Sequence, residues 1–261
     1  MNPLTLTIDN QIATILINRP HARNAITYDM WCQLPKLLAQ VANIPDTRVL
    51  LIRGAGDEAF SAGGDISEFE QHRSNREQAT NYNSKVTIAL EKLCNFSAPT
   101  IAVVKGFCVG GGMLLATHCD LRIAAENARF GMPVAKLGTV LDHAQIQRFT
   151  HLIGSAATLD LLLTARLIDA PEAKSIGLCS QIHTLDQIDA EITKLAQRMT
   201  TYAPLVQTWH KEILHSVQRA PILADLTDAE RSVPDACFDS ADYAEGVNAF
   251  LEKRKPNFQG E

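Results

Sequence analysis

The stretch Thr100-Ile101-Ala102-Val103-Val104-Lys105-Gly106-Phe107-Cys108-Val109-Gly110-Gly111-Gly112 joins an unbroken apolar run to a cluster of glycines. The run over residues 100–104 predicts a buried strand, because parallel strands covered on both faces carry continuous aliphatic sequence. Lys105-Gly106 ends this strand, and the glycines at 110–112 predict the start of a helix. A buried strand that leads directly into a helix is typical of an α/β protein.

The alternation of strands and helices continues on both sides of this stretch. Residues 4–8 and 12–17 flank a polar turn and predict an opening hairpin. Further strands are predicted at residues 49–52, 120–124 and 177–182, and helices at residues 28–41, 79–93, 142–152 and 154–165. After residue 186, helices are predicted at residues 187–201, 204–217, 221–231 and 240–252, with no strand between them. We therefore expect an α/β core over residues 1–200 and a helical segment over residues 201–261.

The composition is that of an ordinary globular protein. The 261 residues are 46% hydrophobic, with a formal net charge of −5, so a nucleic-acid partner is not expected. The N-terminus lacks the pattern of a signal peptide, and no apolar run approaches the ~18 residues that a membrane helix needs. The six cysteines are scattered without a C-x-x-C pair, which argues against a disulfide framework or a zinc site. We expect a cytoplasmic protein with no membrane partner and no metal.

A second glycine segment, Ala59-Phe60-Ser61-Ala62-Gly63-Gly64-Asp65-Ile66, follows the strand at residues 49–52. Neither glycine segment fits a P-loop or a dinucleotide-binding fingerprint. Each segment can be a simple tight turn, because glycine readily adopts positive φ. The two segments can also bring unpaired backbone N–H groups close to a ligand. Two such groups from different loops would form an oxyanion hole.

With both glycine segments in place, the chain resembles the crotonase (enoyl-CoA hydratase/isomerase) superfamily over nearly its whole length. The resemblance is specific because several motifs occur in order at familiar spacing. The matching segments are residues 17–25, 59–66, 106–112, 120–124, 130–133, 162–166 with Ala173 and Gly177-Leu178, and 245–255.

The resemblance implies a spiral of repeated ββα units and a helical C-terminal region that forms a homotrimer or a dimer of trimers. It implies an acyl-CoA thioester as substrate, with coenzyme A as part of that substrate and no separate cofactor. The family's two oxyanion-hole donors correspond to the backbone N–H groups of Gly64 and Gly111. The segments that line the coenzyme A moiety correspond to Ala22, Arg23, Ala25, Ala62, Gly63, Gly64, Asp65 and Ile66. Phe250 and Lys253 match a contact to the nucleotide end, usually made by a neighbouring subunit.

The sequence departs from the family pattern at both proton-transfer positions. Hydratases of this family carry one glutamate three residues after the second glycine of the triple and another after the Phe-Gly-x-Pro stretch. Here these positions are Leu114 and Val134. An aliphatic side chain cannot transfer a proton, so water addition by this pair of acids is not expected.

Asp142 and His143 are the polar residues that could replace the missing glutamates. In the family's aryl-CoA dehalogenase branch, a carboxylate nucleophile occupies the place where Asp142 falls. An aspartate can act as nucleophile or base, and the adjacent histidine can exchange protons near neutral pH. Asp142-His143-Ala144-Gln145 also has the pattern of a helix N-cap, and the two roles are compatible.

Three functions remain open on the sequence alone. The first is an acyl-CoA-transforming enzyme of the enoyl-CoA hydratase/isomerase family that stabilises an enolate or oxyanion. The second is an acyl-CoA hydrolase or dehalogenase-like enzyme that uses Asp142. The third is an acyl-CoA binder that has lost catalysis. An RNA-binding role, known in one branch of the family, is disfavoured by the negative net charge.

Overall fold

The computed structural model describes residues 2–261. The strands are β1 (Leu4–Asp9), β2 (Ile12–Ile17), β3 (Val49–Gly54), β4 (Ala59–Ser61), β5 (Thr100–Val104), β6 (Phe107–Val109), β7 (Leu121–Ala125), β8 (Arg129–Gly131), β9 (Leu167–Asp169) and β10 (Gln181–His183). The α-helices are α1 (Tyr28–Ala42), α2 (Phe69–His72), α3 (Arg76–Cys94), α4 (Gly111–Thr117), α5 (His143–Thr164), α6 (Ala170–Ser175), α7 (Ile188–Thr200), α8 (Pro204–Arg219), α9 (Asp228–Ala236) and α10 (Ala241–Leu251). Short 3-10 helices lie at Pro20–Ala22, Ile66–Glu68, Pro133–Leu137, Leu223–Asp225 and Cys237–Asp239.

The larger sheet has six strands in the order β1-β2-β3-β5-β7-β10. The predicted hairpin of β1 and β2 is antiparallel, and every later pairing in this sheet is parallel. Leu50 and Ile52 of β3 belong to the main core with α1 and α3, whereas Val49 and Leu51 belong to a second core with α7. The sheet is therefore buried on both faces, which is why β3 and β5 read as continuous aliphatic runs.

A second sheet of four strands, in the order β4-β6-β8-β9, was not predicted from the sequence. Each of its strands has three residues, which is too short to show an alternating pattern. The same order of elements occurs three times: a strand of the large sheet, a strand of the small sheet and then a helix. The three copies are β3-β4-α2, β5-β6-α4 and β7-β8-α5. These repeats are the ββα units of the crotonase-like spiral, so the predicted α/β fold class is confirmed.

Two predicted elements are corrected by the structure. The strand predicted at residues 177–182 forms only over Gln181–His183, because Gly177 and Leu178 donate hydrogen bonds to the carbonyls of Lys174 and Ala173 at the end of α6. The helix predicted at residues 221–231 is replaced by the turn Leu223–Asp225 and by α9. Thr227 and Glu230 form a capping box that starts α9 at residue 228.

The predicted helices at residues 142–152 and 154–165 are confirmed as the two halves of α5. The halves meet at Gly154, whose φ of +74° and ψ of 166° interrupt the helix. The helical character of the chain after residue 186 is also confirmed, because α7 to α10 follow β10. Among residues 2–261, no helix has the length and apolarity required to cross a bilayer.

We predict that Gly106→Ala destabilises the protein far more than Gly56→Ala. Both glycines have positive φ, +59° and +75°, so alanine carries a backbone cost of about 1–2 kcal/mol at either position. A Cβ on Gly106 would also clash with the carbonyl oxygen of Glu58, whereas no atom of residues 2–261 lies within 4 Å of a Cβ on Gly56. In thermal unfolding, Gly56→Ala should lower Tm by about 2–8 °C, and Gly106→Ala by at least twice as much. Equal Tm shifts for the two variants would show that the carbonyl of Glu58 does not exclude a side chain at residue 106.

Candidate active site

The two glycine turns predicted from the sequence meet in the structure. They follow β4 and β6, which pair in parallel and therefore end at the same edge of the small sheet. A Cβ on Gly63 would lie 3.0 Å from the carbonyl oxygen of Val109 and 3.4 Å from the amide nitrogen of Gly111. A Cβ on Gly111 would lie 3.3 Å from the amide nitrogen of Gly64. The backbones of the two turns are thus in close contact, and this contact leaves little room for side chains.

The N–H groups of Gly64 and Gly111 are available for a ligand. Gly111 is the first residue of α4, where a backbone N–H has no acceptor inside the helix. Within residues 2–261, neither N–H donates a hydrogen bond, although the flanking N–H groups of Gly63 and Asp65 bond to Ser61 Oγ and the Ile26 carbonyl. Two unpaired donors on adjacent turns can stabilise a negatively charged oxygen.

Both turns line a cavity of about 440 Å³. Most of its walls are apolar, and Ile66, Leu137 and Val140 are exposed there. The polar side chains in the lining are those of Arg73, Tyr82, Asn83, Lys136, Thr139, Asp142 and Gln145. This combination of apolar walls and a few polar groups is typical of a small-molecule site.

Leu114 and Val134 both lie in the wall of this cavity, Leu114 on α4 and Val134 in the turn Pro133–Leu137. Their side chains add apolar surface beside the glycine turns. In the described part of the chain, Asp142 supplies the one carboxylate that lines the cavity.

Asp142 is the N-cap of α5. Its Oδ1 accepts a hydrogen bond of 2.8 Å from the Gln145 N–H, and the Gln145 side chain accepts one of 3.2 Å from the Asp142 N–H. The predicted capping pattern is therefore present. Within residues 2–261, Asp142 Oδ2 has no hydrogen-bond donor, so the cap uses only half of the carboxylate. The side chain of His143 is exposed and lies outside the cavity lining.

The residues matched to the coenzyme A segments come from two parts of the chain, residues 22–25 and the segment directly after β4. Ala62, Gly63 and Ile66 line the cavity, and the Ala62 N–H donates to the carbonyl of Arg23 at 2.9 Å. Ala22 is the last residue of the turn Pro20–Ala22. Arg23, with φ of +48°, follows this turn, and Ala25 lies two residues further along the chain. The guanidinium carbon of Arg23 lies 5.5 Å from the centre of the Phe107 ring, beside a smaller hollow of about 300 Å³.

Asp65 holds the first glycine turn in place. Its Oδ1 accepts hydrogen bonds from the Ser67 hydroxyl and N–H, and its Oδ2 forms an ion pair with Arg19 at 2.9 Å. The hydrogen bond from the Ser67 hydroxyl is the main reason that the pKa of Asp65 is lowered, and Arg19 acts in the same direction. Asp65 is absent from the cavity lining, so it positions the turn rather than facing the cavity.

Phe250 and Lys253 lie apart from the cavity within a single chain. Phe250 is 83% exposed at the end of α10 and borders an apolar hollow of about 490 Å³ formed by C-terminal residues. Lys253 follows α10, with its side chain exposed. The structure thus brings Gly64, Gly111 and Asp142 to one cavity, but not His143, Phe250 or Lys253.

Three cavity residues, Trp31, Arg73 and Tyr82, were missed by the sequence analysis. Trp31 and Tyr82 occupy core-facing positions of α1 and α3, and their spacing resembled that of ordinary core residues. The Tyr82 hydroxyl lies 3.3 Å from the position that a Cβ on Gly64 would take. Burial raises the pKa of Tyr82 above its usual value, so its hydroxyl is protonated at neutral pH.

The fold and the paired glycine turns define a crotonase-type protein, and comparisons with known proteins agree. Residues 7–261 match the family model described as Enoyl-CoA hydratase/isomerase. A crotonyl-CoA hydratase of Syntrophomonas wolfei is 35% identical over 250 residues, which cover 96% of this chain and 95% of that protein. The crystal structure of an enoyl-CoA hydratase/carnithine racemase from Magnetospirillum magneticum has a TM-score of 0.95 and 36% identity, covering 100% of this chain and 97% of the other. The chain belongs to the enoyl-CoA hydratase/isomerase family, so the resemblance noted in the sequence is confirmed.

Proposed function

We propose that this protein is an acyl-CoA-transforming enzyme that stabilises an enolate or oxyanion of a thioester. The observation that carries the proposal is that the N–H groups of Gly64 and Gly111, unpaired within residues 2–261, lie on turns that line one apolar cavity. When the thioester oxygen gains negative charge, both donors strengthen their hydrogen bonds to it and so lower the barrier. The 35% identical crotonyl-CoA hydratase supports a CoA thioester as the ligand.

The proposed reaction is not the addition of water by the pair of glutamates that the family's hydratases use. Leu114 and Val134 occupy the two positions at which the family's hydratases carry glutamate, and neither can transfer a proton. Asp142 lines the same cavity, and among residues 2–261 no donor binds its Oδ2. It can act as a base that takes a proton from the substrate or from water.

A second candidate is hydrolysis or substitution at the acyl group with Asp142 as the reactive carboxylate. In hydrolysis, Asp142 would take a proton from water as the water oxygen attacks the thioester carbon. The C–S bond would then break and the thiolate would take up that proton. In substitution, the free Oδ2 would attack the carbon that bears the leaving group, and the bond to that group would break as it departs with the electron pair. Water would then hydrolyse the resulting ester, which returns the Asp142 carboxylate and leaves a hydroxyl on the product. The lack of a hydrogen-bond donor to Oδ2 in the described chain favours this candidate over one based on His143, whose side chain lies outside the cavity lining.

The coenzyme A portion would lie along the two turns that flank β4. The proposed contacts are made by Ala22, Arg23, Ala25, Ala62, Gly63, Gly64, Asp65 and Ile66. Arg23 offers a cation for a phosphate of coenzyme A. Phe250 and Lys253 would reach the nucleotide end from a neighbouring subunit, since neither residue lines the cavity of its own chain.

We predict that the protein is a homotrimer or a dimer of trimers assembled through residues 201–261. This segment exposes large apolar side chains, including Phe238, Phe250 and Leu251, at 59%, 83% and 72%. Exposed apolar surface of this kind is covered in oligomers. Multi-angle light scattering at micromolar concentration should give three or six times the chain mass. A monomer at that concentration would contradict the prediction.

A panel of acyl-CoA thioesters, followed by thermal shift and mass spectrometry of the products, tests the proposed function. We expect micromolar binding, which at millimolar ligand raises the free energy of unfolding by about 3–4 kcal/mol. Gly111→Ala places a methyl group 3.3 Å from the Gly64 nitrogen and should reduce turnover by about 10²–10³-fold. Gly56→Ala, which lies outside the cavity, is the control and should retain turnover. A thermal shift without any product would favour a non-catalytic binder, and no shift with any thioester would contradict the proposal.

We also predict that hydration of crotonyl-CoA is at least ~10³-fold slower than in a family hydratase with both glutamates, measured in parallel. Asp142→Asn should abolish any residual turnover of an acyl-CoA more completely than His143→Ala. Asparagine is as good an N-cap as aspartate, so Tm should change little while the carboxylate is lost. Asp142→Ala serves as the control for the cap and should lower the free energy of unfolding by about 1 kcal/mol. Rapid crotonyl-CoA hydration that Asp142→Asn leaves unchanged would show that another group transfers the proton.

A further inference from the structure

The guanidinium of Arg73 lines the cavity without a carboxylate partner. Its carbon Cζ lies 4.8 Å from the centre of the Phe69 ring and 5.0 Å from the centre of the Tyr82 ring. Among residues 2–261, no Asp or Glu forms an ion pair with it, and its one side-chain hydrogen bond, to Asn83 Oδ1, is long at 3.4 Å. The two rings hold the cation beside the cavity, while its hydrogen-bonding capacity is almost unused.

Two acidic residues that precede Arg73 in the chain bond to other groups. Asp65 pairs with Arg19, and Glu68 accepts a hydrogen bond of 2.8 Å from the N–H of Tyr28. Arg73 is therefore a cation of the cavity lining that no carboxylate of residues 2–261 neutralises.

The charges in the cavity lining favour an anion. Arg73 and Lys136 are the two cations of the lining, and neither is in an ion pair within the described chain. Asp142 is the single anion, and one of its oxygens caps α5. The lining thus has a net charge of +1, which favours an anionic ligand over a cationic one.

The Tyr82 hydroxyl adds a hydrogen-bond donor next to Arg73. Trp31 lies beside this hydroxyl, and within residues 2–261 its indole N–H has no hydrogen bond of ordinary geometry. An indole N–H can only donate, so it cannot accept the proton of the Tyr82 hydroxyl. That proton remains free to be donated into the cavity.

We propose that Arg73 and Tyr82 form a subsite for a carboxylate on the acyl group, so that the preferred ligand is the CoA thioester of a dicarboxylic acid. The inference rests on the proposed function, since it assumes that the cavity holds an acyl-CoA. A carboxylate accepts charge-assisted hydrogen bonds from both donors, and a guanidinium held by aromatic rings is already oriented for them. A plain hydrocarbon chain would fill the apolar walls but leave both donors without an acceptor.

A phosphate of coenzyme A is the other anion that could reach Arg73. Glutaryl-CoA, pentanoyl-CoA and free coenzyme A separate the two cases, because the two acyl groups have five carbons each and only glutaryl carries the extra carboxylate. We expect calorimetry on the full-length protein to show glutaryl-CoA binding at least ~10-fold more tightly than pentanoyl-CoA, which corresponds to about 1.4 kcal/mol.

Arg73→Met and Tyr82→Phe test the two donors. Arg73→Met keeps an unbranched side chain against the rings and should abolish the preference for glutaryl-CoA, while Tyr82→Phe should reduce it several-fold. Arg76→Met removes the same charge at an exposed position outside the cavity lining, and it should leave all three affinities unchanged. Thermal unfolding of each variant, together with binding of pentanoyl-CoA, verifies that the cavity is intact.

Three other binding results would each overturn either the carboxylate subsite or the proposed function. Equal binding of glutaryl-CoA and pentanoyl-CoA to the unmodified protein would overturn the carboxylate subsite and leave the proposed function standing. Equal weakening of all three ligands by Arg73→Met would assign Arg73 to a coenzyme A phosphate and would also overturn the inference. Failure of all three ligands to bind the unmodified protein would instead overturn the proposed function itself.

Discussion

The contact between the turn at Gly63-Gly64 and the turn at Gly110-Gly111 is the constraint on which the rest of the structure depends. Its geometry is set by the backbone, because β4 and β6 pair in parallel and deliver both turns to the same edge of the small sheet. A Cβ on Gly111 would be 3.3 Å from the nitrogen of Gly64, so the approach depends on glycine. The two N–H groups are thereby oriented before any ligand arrives, which is what electrostatic stabilisation of an oxyanion requires.

Because the N–H pair belongs to the backbone, the side chains around it can change without disturbing it. Leu114 and Val134 lie on α4 and on the turn Pro133–Leu137, and both contribute apolar wall where the family's hydratases carry acids. In the proposed reaction, aliphatic residues at both positions would change which proton transfers are available. They would leave the paired backbone N–H groups unchanged.

The sequence predicted the buried strands of the large sheet and the two glycine turns. The apolar runs at residues 49–52 and 100–104 are continuous because α7 covers one face of the large sheet and α1 and α3 cover the other. The three-residue strands of the small sheet left no periodic signal. Arg73 and Tyr82 were missed because neither lies in a motif. The contact of Arg73 with the Tyr82 ring and that of the Tyr82 hydroxyl with Gly64 depend on how α2 and α3 pack.

The cavity wall combines two kinds of surface that come from different parts of the chain. Helix α4 and residues 132–141 contribute mostly apolar side chains, whereas Arg73 and Tyr82 come from the region of α2 and α3. Capping α5 does not prevent Asp142 from acting on a substrate, since the cap engages Oδ1 and leaves Oδ2 without a donor in the described chain. A carboxylate anchored by a helix terminus loses less conformational freedom when it acts on a substrate than an unanchored one does. The structural role of Asp142 would therefore assist a reactive role, because the hydrogen bond that caps α5 also fixes the direction of its free oxygen.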